Sequence, residues 1–357
     1  MRTKILRNPL ITVSTLFALT RLLAAGPNDG VLNFNETPFV HPHPTFITFD
    51  APGAGTNPGQ GTQPNAINEA GAITGFYYDA NSVVHGFLRT PGGAITTFDV
   101  LNAVFGTFPS SISPCGLVTG YWGDARDFSR GFVRLRDGTL IRFNAPGAVF
   151  GTIPSSINAA RAITGYYNDA NFVSHGFLRA PDGSFITFDP AGSVNTLAFS
   201  INLGGAITGS YYEGDNSLHG FVRAVDGTIT SFDPPGSIQT NPASINPAGA
   251  ITGNYLEGGV GVHGFLRSPD GAFTTFDVPG AIFTIGSSIN PAGAITGTYI
   301  DASFSQHGFL RAANGSITTF DAPGAATTFA QSINPEDMIT GTFYDSSGVA
   351  HGFLRTP

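Results

Sequence analysis

Over most of the chain, apolar and polar residues come in short runs broken by glycine and proline. Around residue 250 the runs are Ser244-Ile245-Asn246, Ala250-Ile251-Thr252-Gly253-Asn254-Tyr255, His263-Gly264-Phe265-Leu266-Arg267 and Phe273-Thr274-Thr275-Phe276-Asp277. All four are strand candidates, because Ile, Thr, Phe and Tyr suit a pleated surface. Turn chemistry separates them. Asn246-Pro247-Ala248-Gly249 has Asn first, Pro with its φ preset and Gly last, the order a type I turn prefers. Pro269-Asp270-Gly271 reads as the turn between the third and fourth strands. No segment combines helical length with helical periodicity.

The same quartet recurs. The His-Gly-Phe triplet begins at His85, His175, His219, His263, His307 and His351, and Arg130-Gly131-Phe132 takes the remaining place, at spacings of 44 or 45 residues. Phe-Asp ends the fourth run at Asp50, Asp99, Asp189, Asp233, Asp277 and Asp321, with Phe143-Asn144 filling the gap. Four antiparallel strands in a repeat of this length are the mark of a propeller blade. The expected fold is all-β: a seven-bladed β-propeller of four-stranded antiparallel blades, one domain over residues 45–357. The repeats begin with a fourth strand, Phe46-Ile47-Thr48-Phe49-Asp50, and finish on a third, His351 to Arg355. The N-terminal strand is therefore expected to pair into the last blade and close the ring, leaving no open edge.

The consensus Ser-Ile-Asn-x-x-Gly-Ala-Ile-Thr-Gly-x-Tyr followed by His-Gly-Phe-Leu-Arg resembles the extracellular HAF-repeat family of bacterial proteins. Glycine replaces that family's alanine in the triplet, as in His219-Gly220-Phe221, and Phe-Asp-x-Pro-Gly stands where a Leu-Gly-type run is common. The resemblance covers nearly everything after residue 45. It implies an exported, propeller-like protein and carries no catalytic residues.

Composition agrees with a repeat of tight turns. Of 357 residues, 47 are Gly and 25 Pro, and only 11% are charged, against roughly 25% in an average domain. Thirty-one phenylalanines supply a large core. Residues 1–25 read as a secretory signal, with a basic start, an apolar run from Leu10 to Thr20 and a small-residue exit at Ala24-Ala25. Residues 26–44 read as an irregular leader. The signal holds four of the 16 basic residues, so the mature chain would carry 12 against 24 acids, a balance of −12. Binding nucleic acid or an anionic membrane needs clustered cations, so neither is expected. No membrane span is expected in the mature chain, which is read as a monomer, secreted to an extracellular or periplasmic location. Cys115 is the only cysteine, excluding an intrachain disulfide.

Topology puts the loops after the second and fourth strands on one face, the loop face. Carboxylates follow the second strand at Asp79, Asp124, Asp169, Glu213, Glu257, Asp301 and Asp345. One reading is a ring of oxygen ligands for calcium, the only cofactor the sequence suggests. The other is structural: each His bonds either the second-strand carboxylate or the fourth-strand Asp. Arg89, Arg134, Arg179, Arg223, Arg267, Arg311 and Arg355 end the third strands. They are expected to tie blades together through forked bonds to carboxylate or carbonyl oxygens, the alternative being a basic ring for an anionic substrate. The second repeat departs most from the consensus and holds the only Trp. Tyr121, Trp122, Arg126 and Asp127 are the candidate ligand contacts. Gly-x-Ser-x-Gly, phosphate-loop and His-Glu-x-x-His motifs are absent. The leading functional expectation is a secreted, non-enzymatic binding or scaffold protein whose ligand, a glycan or an extracellular-matrix protein, sits on the loop face. The alternatives are a propeller lyase or hydrolase acting on a polysaccharide or small molecule, and a calcium-dependent surface adhesion protein.

Overall fold

The structure is a computed structural model that describes residues 44–126, 128–259 and 261–357. The expected signal, all but the last residue of the expected leader, and Asp127 lie outside the described residues. Within them the chain forms 28 strands and no helix. The strands fall into seven antiparallel four-stranded units, six of them hydrogen-bonded in chain order and the last taking Thr45–Phe49 as its fourth strand. The unit around residue 250 consists of Ser237–Ile245, Ile251–Glu257, Gly261–Arg267 and Phe273–Phe276. Its first strand is nine residues long, not the three of Ser-Ile-Asn. The added part carries Pro242 beside a register shift at Ser244. Proline is admitted at such a bulge, but it hides the strand from a pattern search. Asn246 falls just outside the strand, in the turn.

Each unit is fastened across its own strands. The Phe of His-Gly-Phe is fully buried in all seven units, and the first Ile of the second strand is nearly so in the six that have it. Beside that residue a fully buried Thr donates its hydroxyl proton to the carbonyl of the Phe, as Thr252 does to Phe265 at 2.9 Å. The next residue is glycine for a steric reason. The bulge presses the first strand inward, so a Cβ on Gly253 would collide with the Asn241 carbonyl.

Three sets of contacts join unit to unit. The first is a chain of buried asparagines. Asn158, Asn202, Asn246 and Asn290 each donate from Nδ2 to the carbonyl of the equivalent residue one unit on, at 3.0–3.2 Å. Asn334 donates to Asn68 at 3.3 Å and Asn68 to Ser113 at 3.1 Å, so the last unit neighbours the first. The same carboxamides close their own turns, as when Ala250 N–H donates to Asn246 Oδ1. Ser113 interrupts the chain: its hydroxyl accepts from Leu117 N–H in its own turn, but it has no amide to send to Asn158. The second set runs alongside, with Ile245 N–H donating to Ser200 Oγ at 3.3 Å and five equivalents elsewhere.

The third set is made by the seven arginines, and it differs from expectation. Each guanidinium lies over a phenylalanine from the fourth strand of the preceding unit, from Arg179 over Phe143 at 4.8 Å to Arg223 over Phe188 at 5.2 Å. Among the described residues none of the seven pairs with a carboxylate; the one arginine that does is Arg130, with Asp124. Four of the seven do donate to a carbonyl oxygen, but to that of the next residue in their own unit, as Arg223 does to Ala224 at 3.3 Å. Between units the negative π-face of the phenylalanine attracts the cation, worth about 0.5–2 kcal/mol as water is excluded. Burial lowers the pKa of these guanidiniums. The opening strand Thr45–Phe49 pairs antiparallel with Ala350–Thr356, setting Phe46 opposite Arg355 and Phe49 opposite Gly352.

Asn246→Ala leaves the part-buried Ala250 N–H without its acceptor and leaves the buried Asn290 carbonyl with the Gly293 N–H alone. At about 1–3 kcal/mol for an unsatisfied group, it is expected to lower unfolding free energy by about 1–3 kcal/mol. Ser113→Asn completes the asparagine chain and is expected to raise it by about 1 kcal/mol. Denaturant unfolding checks both, and a destabilised Ser113→Asn would count against this account.

Candidate functional site

The histidines and carboxylates of the loop face are largely bonded to one another. In six units His Nδ1 lies 2.7–3.0 Å from the Asp that follows the fourth strand: His85 with Asp99, His175 with Asp189, His219 with Asp233, His263 with Asp277, His307 with Asp321 and His351 with Asp50. In five of these, Nε2 faces the second-strand carboxylate at 3.6–3.7 Å. The direct bond is thus to the fourth-strand Asp, and His219 instead turns Nε2 to Ser217 Oγ at 2.8 Å. Each imidazole also packs on the aromatic ring opposite it in the second strand, as His85 does on Tyr77 at 5.1 Å.

The second-strand carboxylates are mostly absorbed by their own loops. Asp79 Oδ1 accepts from the backbone N–H of Asn81 and Val83, both at 2.8 Å, and Asp124, Asp169, Asp301 and Asp345 repeat the arrangement. The bond from the Val83 amide is the main reason the Asp79 pKa sits below the ordinary carboxylate range, and Val173 and Val349 do the same for Asp169 and Asp345. For Asp301 the Ser303 hydroxyl contributes most. Glu213 and Glu257 have one more methylene in the same place. The expected calcium ligands therefore stand one to a unit. Among the described residues no three His, Cys, Asp or Glu side chains gather closely enough to hold a metal ion.

The second unit breaks this pattern. A cavity of about 520 Å³ opens there, lined by Trp122, Arg130, Arg142, Phe143 and Asn144. Of the four candidate contacts, Trp122 lines it. Tyr121 precedes it in the same strand and so points to the opposite side, where it stacks on Phe108 at 4.9 Å. Arg126 is exposed in the loop, and its backbone N–H donates to Asp124. Sequence reasoning missed Arg142 and Asn144 as partners of Trp122. The available signal was positional: aligned with the other repeats, Trp122, Arg130, Arg142 and Asn144 replace Tyr, His, Thr and Asp. A second cavity, of about 370 Å³, lies between Val83, His85, Asp99, Leu101 and Gly106. The two adjoin at Leu101, whose carbonyl accepts from Arg142 at 3.3 Å.

Large apolar side chains stand exposed on the same face, among them Leu101, Phe105, Phe172 and Phe304. Phe172 and Phe304 are 70% and 75% exposed and have φ of 63° and 64°. The corresponding corner of the last unit is Gly348, at φ 77°. A left-handed backbone is costly for a bulky residue; the Phe172 ring is stacked on Phe150 at 3.8 Å, while Phe304 stands out to solvent against local preference.

No family model matches the chain, and no curated protein matches it in sequence. Solved structures do match in shape. A catalytically inactive virginiamycin B lyase from Staphylococcus aureus, solved with quinupristin, is 15% identical, covering 88% of this chain and 100% of its own at a TM-score of 0.59. The β-propeller domain of the Trilobed protease from Pyrococcus furiosus is 9% identical, covering 82% and 94% at 0.56. The fold is a β-propeller. At such identities the likeness is one of fold alone. The archaeal domain is described as having an open velcro topology, whereas here the first strand pairs with the last. Among the described residues no helix is long and apolar enough to cross a membrane.

The loop aspartates give a pH dependence of known sign. Their folded pKa values lie below the unfolded value, so their stabilisation is complete above the unfolded pKa and is lost as pH falls through the folded one. Thermal melts are expected to be insensitive to these groups near neutrality and to weaken below about pH 4. Asp79→Asn should flatten that acid limb.

Proposed function

We propose that this chain is an exported seven-bladed β-propeller of the HAF-repeat type, its ring closed by Thr45–Phe49, and that it acts as a binding protein with its ligand on the loop face. One observation carries the reading. The repeated histidines and most of the repeated carboxylates are committed to each other and to their own loops, while apolar rings and two adjoining cavities are left facing out. Cavities of 370 and 520 Å³ fall in the usual range for small-ligand sites. A glycan or an extracellular-matrix protein suits such a face, with apolar rings as contact area and loop amides as polar partners.

A glycan and matrix-protein screen of the full chain tests this. Phe172→Asn and Phe304→Asn are expected to weaken capture of the ligand found by about tenfold or more, in the manner of an aromatic hot spot. Phe304→Asn should also raise stability by about 1 kcal/mol, because Asn tolerates the left-handed corner, whereas Phe172→Asn also gives up the stack on Phe150. A screen that finds no ligand, or variants that bind like the parent, would sink the reading. Ring closure has its own test: deleting Phe46 to Asp50 should lower the melting temperature sharply, and an unchanged melt would exclude it.

A further inference from the structure

In the fifth unit, Tyr255, His263, Thr275 and Asp277 come together at the loop-face end of the strands. Tyr255 lies beside Thr275, and His263 bonds Asp277 at 2.9 Å. At the same four places the second unit has Trp122, Arg130, Arg142 and Asn144. With histidine neutral and the second-strand carboxylate included, the fifth-unit cluster carries −2, from Glu257 and Asp277. The second-unit cluster carries +1, from Arg130 and Arg142 against Asp124. Four replacements thus reverse the charge of one spot on an acidic protein and open the 520 Å³ cavity there.

The donors in that cavity are only partly used. Arg130 Nε donates to Asp124 Oδ2 at 3.0 Å, a bond that orients the guanidinium and leaves its terminal N–H groups for another acceptor. Arg142 is exposed, lies 5.8 Å from the Trp122 ring and spends one bond on the Leu101 carbonyl. Trp122 is 8% exposed, and its buried indole N–H has no acceptor among the described residues. A buried donor left without a partner is uncommon and calls for an explanation. Asn144 adds a neutral amide where a carboxylate would repel an anion.

We propose that this cavity binds the carboxylate of an acidic ligand, with the volume to take one acidic sugar unit, between the guanidiniums of Arg130 and Arg142. The Trp122 indole N–H and the Asn144 amide supply further donors. Arginine is suited to the role because its planar fork matches a carboxylate and stays charged. The inference deepens the binding reading above by naming a ligand class, but it rests on different residues from the exposed phenylalanines.

Trp122 is the only tryptophan in the chain, so its fluorescence reports on this cavity. The full chain is titrated with glucuronate, acetate, sulfate and glucose. A saturable change with glucuronate that weakens with added salt, and none with glucose, is the expected result. An equal response to acetate assigns the site to free carboxylates, and a tighter one to glucuronate assigns it to acidic sugars; both support the proposal. Arg142→Thr restores the residue of the fifth unit and is expected to weaken binding by about tenfold or more, the loss of one charged hydrogen bond. Asn144→Asp should weaken it also. Both variants should keep the parent's melting curve. No saturable response to either carboxylate, sulfate binding tighter than both, an equal response to glucose, or parent-like titration of Arg142→Thr would overturn it. If the fluorescence arm fails while loop-face capture still depends on Phe172 and Phe304, this proposal falls and the broader one stands.

Discussion

In six of the seven units a buried asparagine carboxamide sits where one unit meets the next. Its oxygen closes the turn of its own unit, and its nitrogen reaches the backbone of the neighbour. A side chain with one acceptor and two donors serves both partners from one position. Because the carboxamide and the neighbour's carbonyl are buried, the bond between units is costly to break and hard to replace with water. No unit satisfies its own polar groups alone, so the repeats stand or fall together. The serine bonds and the stacked arginines lie in the same interfaces and reinforce this dependence.

That constraint also shapes the outer face. Residues written into nearly every repeat are those that every unit uses to fold, and the His–Asp pairs and loop-capping aspartates meet that description. Their charges are directed inward to each other, which leaves the face acidic but chemically quiet. Binding is then left to departures from the repeat. Phe172 and Phe304 depart by residue type, placing a bulky ring at a left-handed corner that Ser82, Asn216 and Gly348 occupy in other units. The second unit departs by composition, exchanging a His–Asp pair for two arginines and an asparagine. Both departures remain compatible with the fold, because the asparagine, threonine and phenylalanine contacts lie deeper in each unit.

Much of this could be read before the fold was known. The four strands, the Asn-Pro-Ala-Gly and Pro-Asp-Gly turns and the burial of the His-Gly-Phe ring follow from local pattern. The choice between two partners for the histidine was left open and resolved to the fourth-strand Asp. The first strand was read too short, because its bulge proline resembles a loop signal. Oxygen partners for the arginines are half visible in the sequence: four reach a carbonyl of their own unit, but the neighbour's ring face beneath each is not legible there. Tyr121 and Trp122 were grouped because they are adjacent, although strand alternation sends them apart.

Sequence alone determined the features that repeat within some 20 residues: strand number, turn type and the alternation that buries one side of each strand. These depend on backbone preference and on contacts between consecutive strands, and both are local. Tertiary structure decided which unit receives each asparagine amide, which ring lies beneath each arginine and which side chains share a cavity. Those outcomes depend on how units rotate against one another and on register across three strands. It is that register which sets Trp122 opposite Arg130 and Phe132 opposite Arg142.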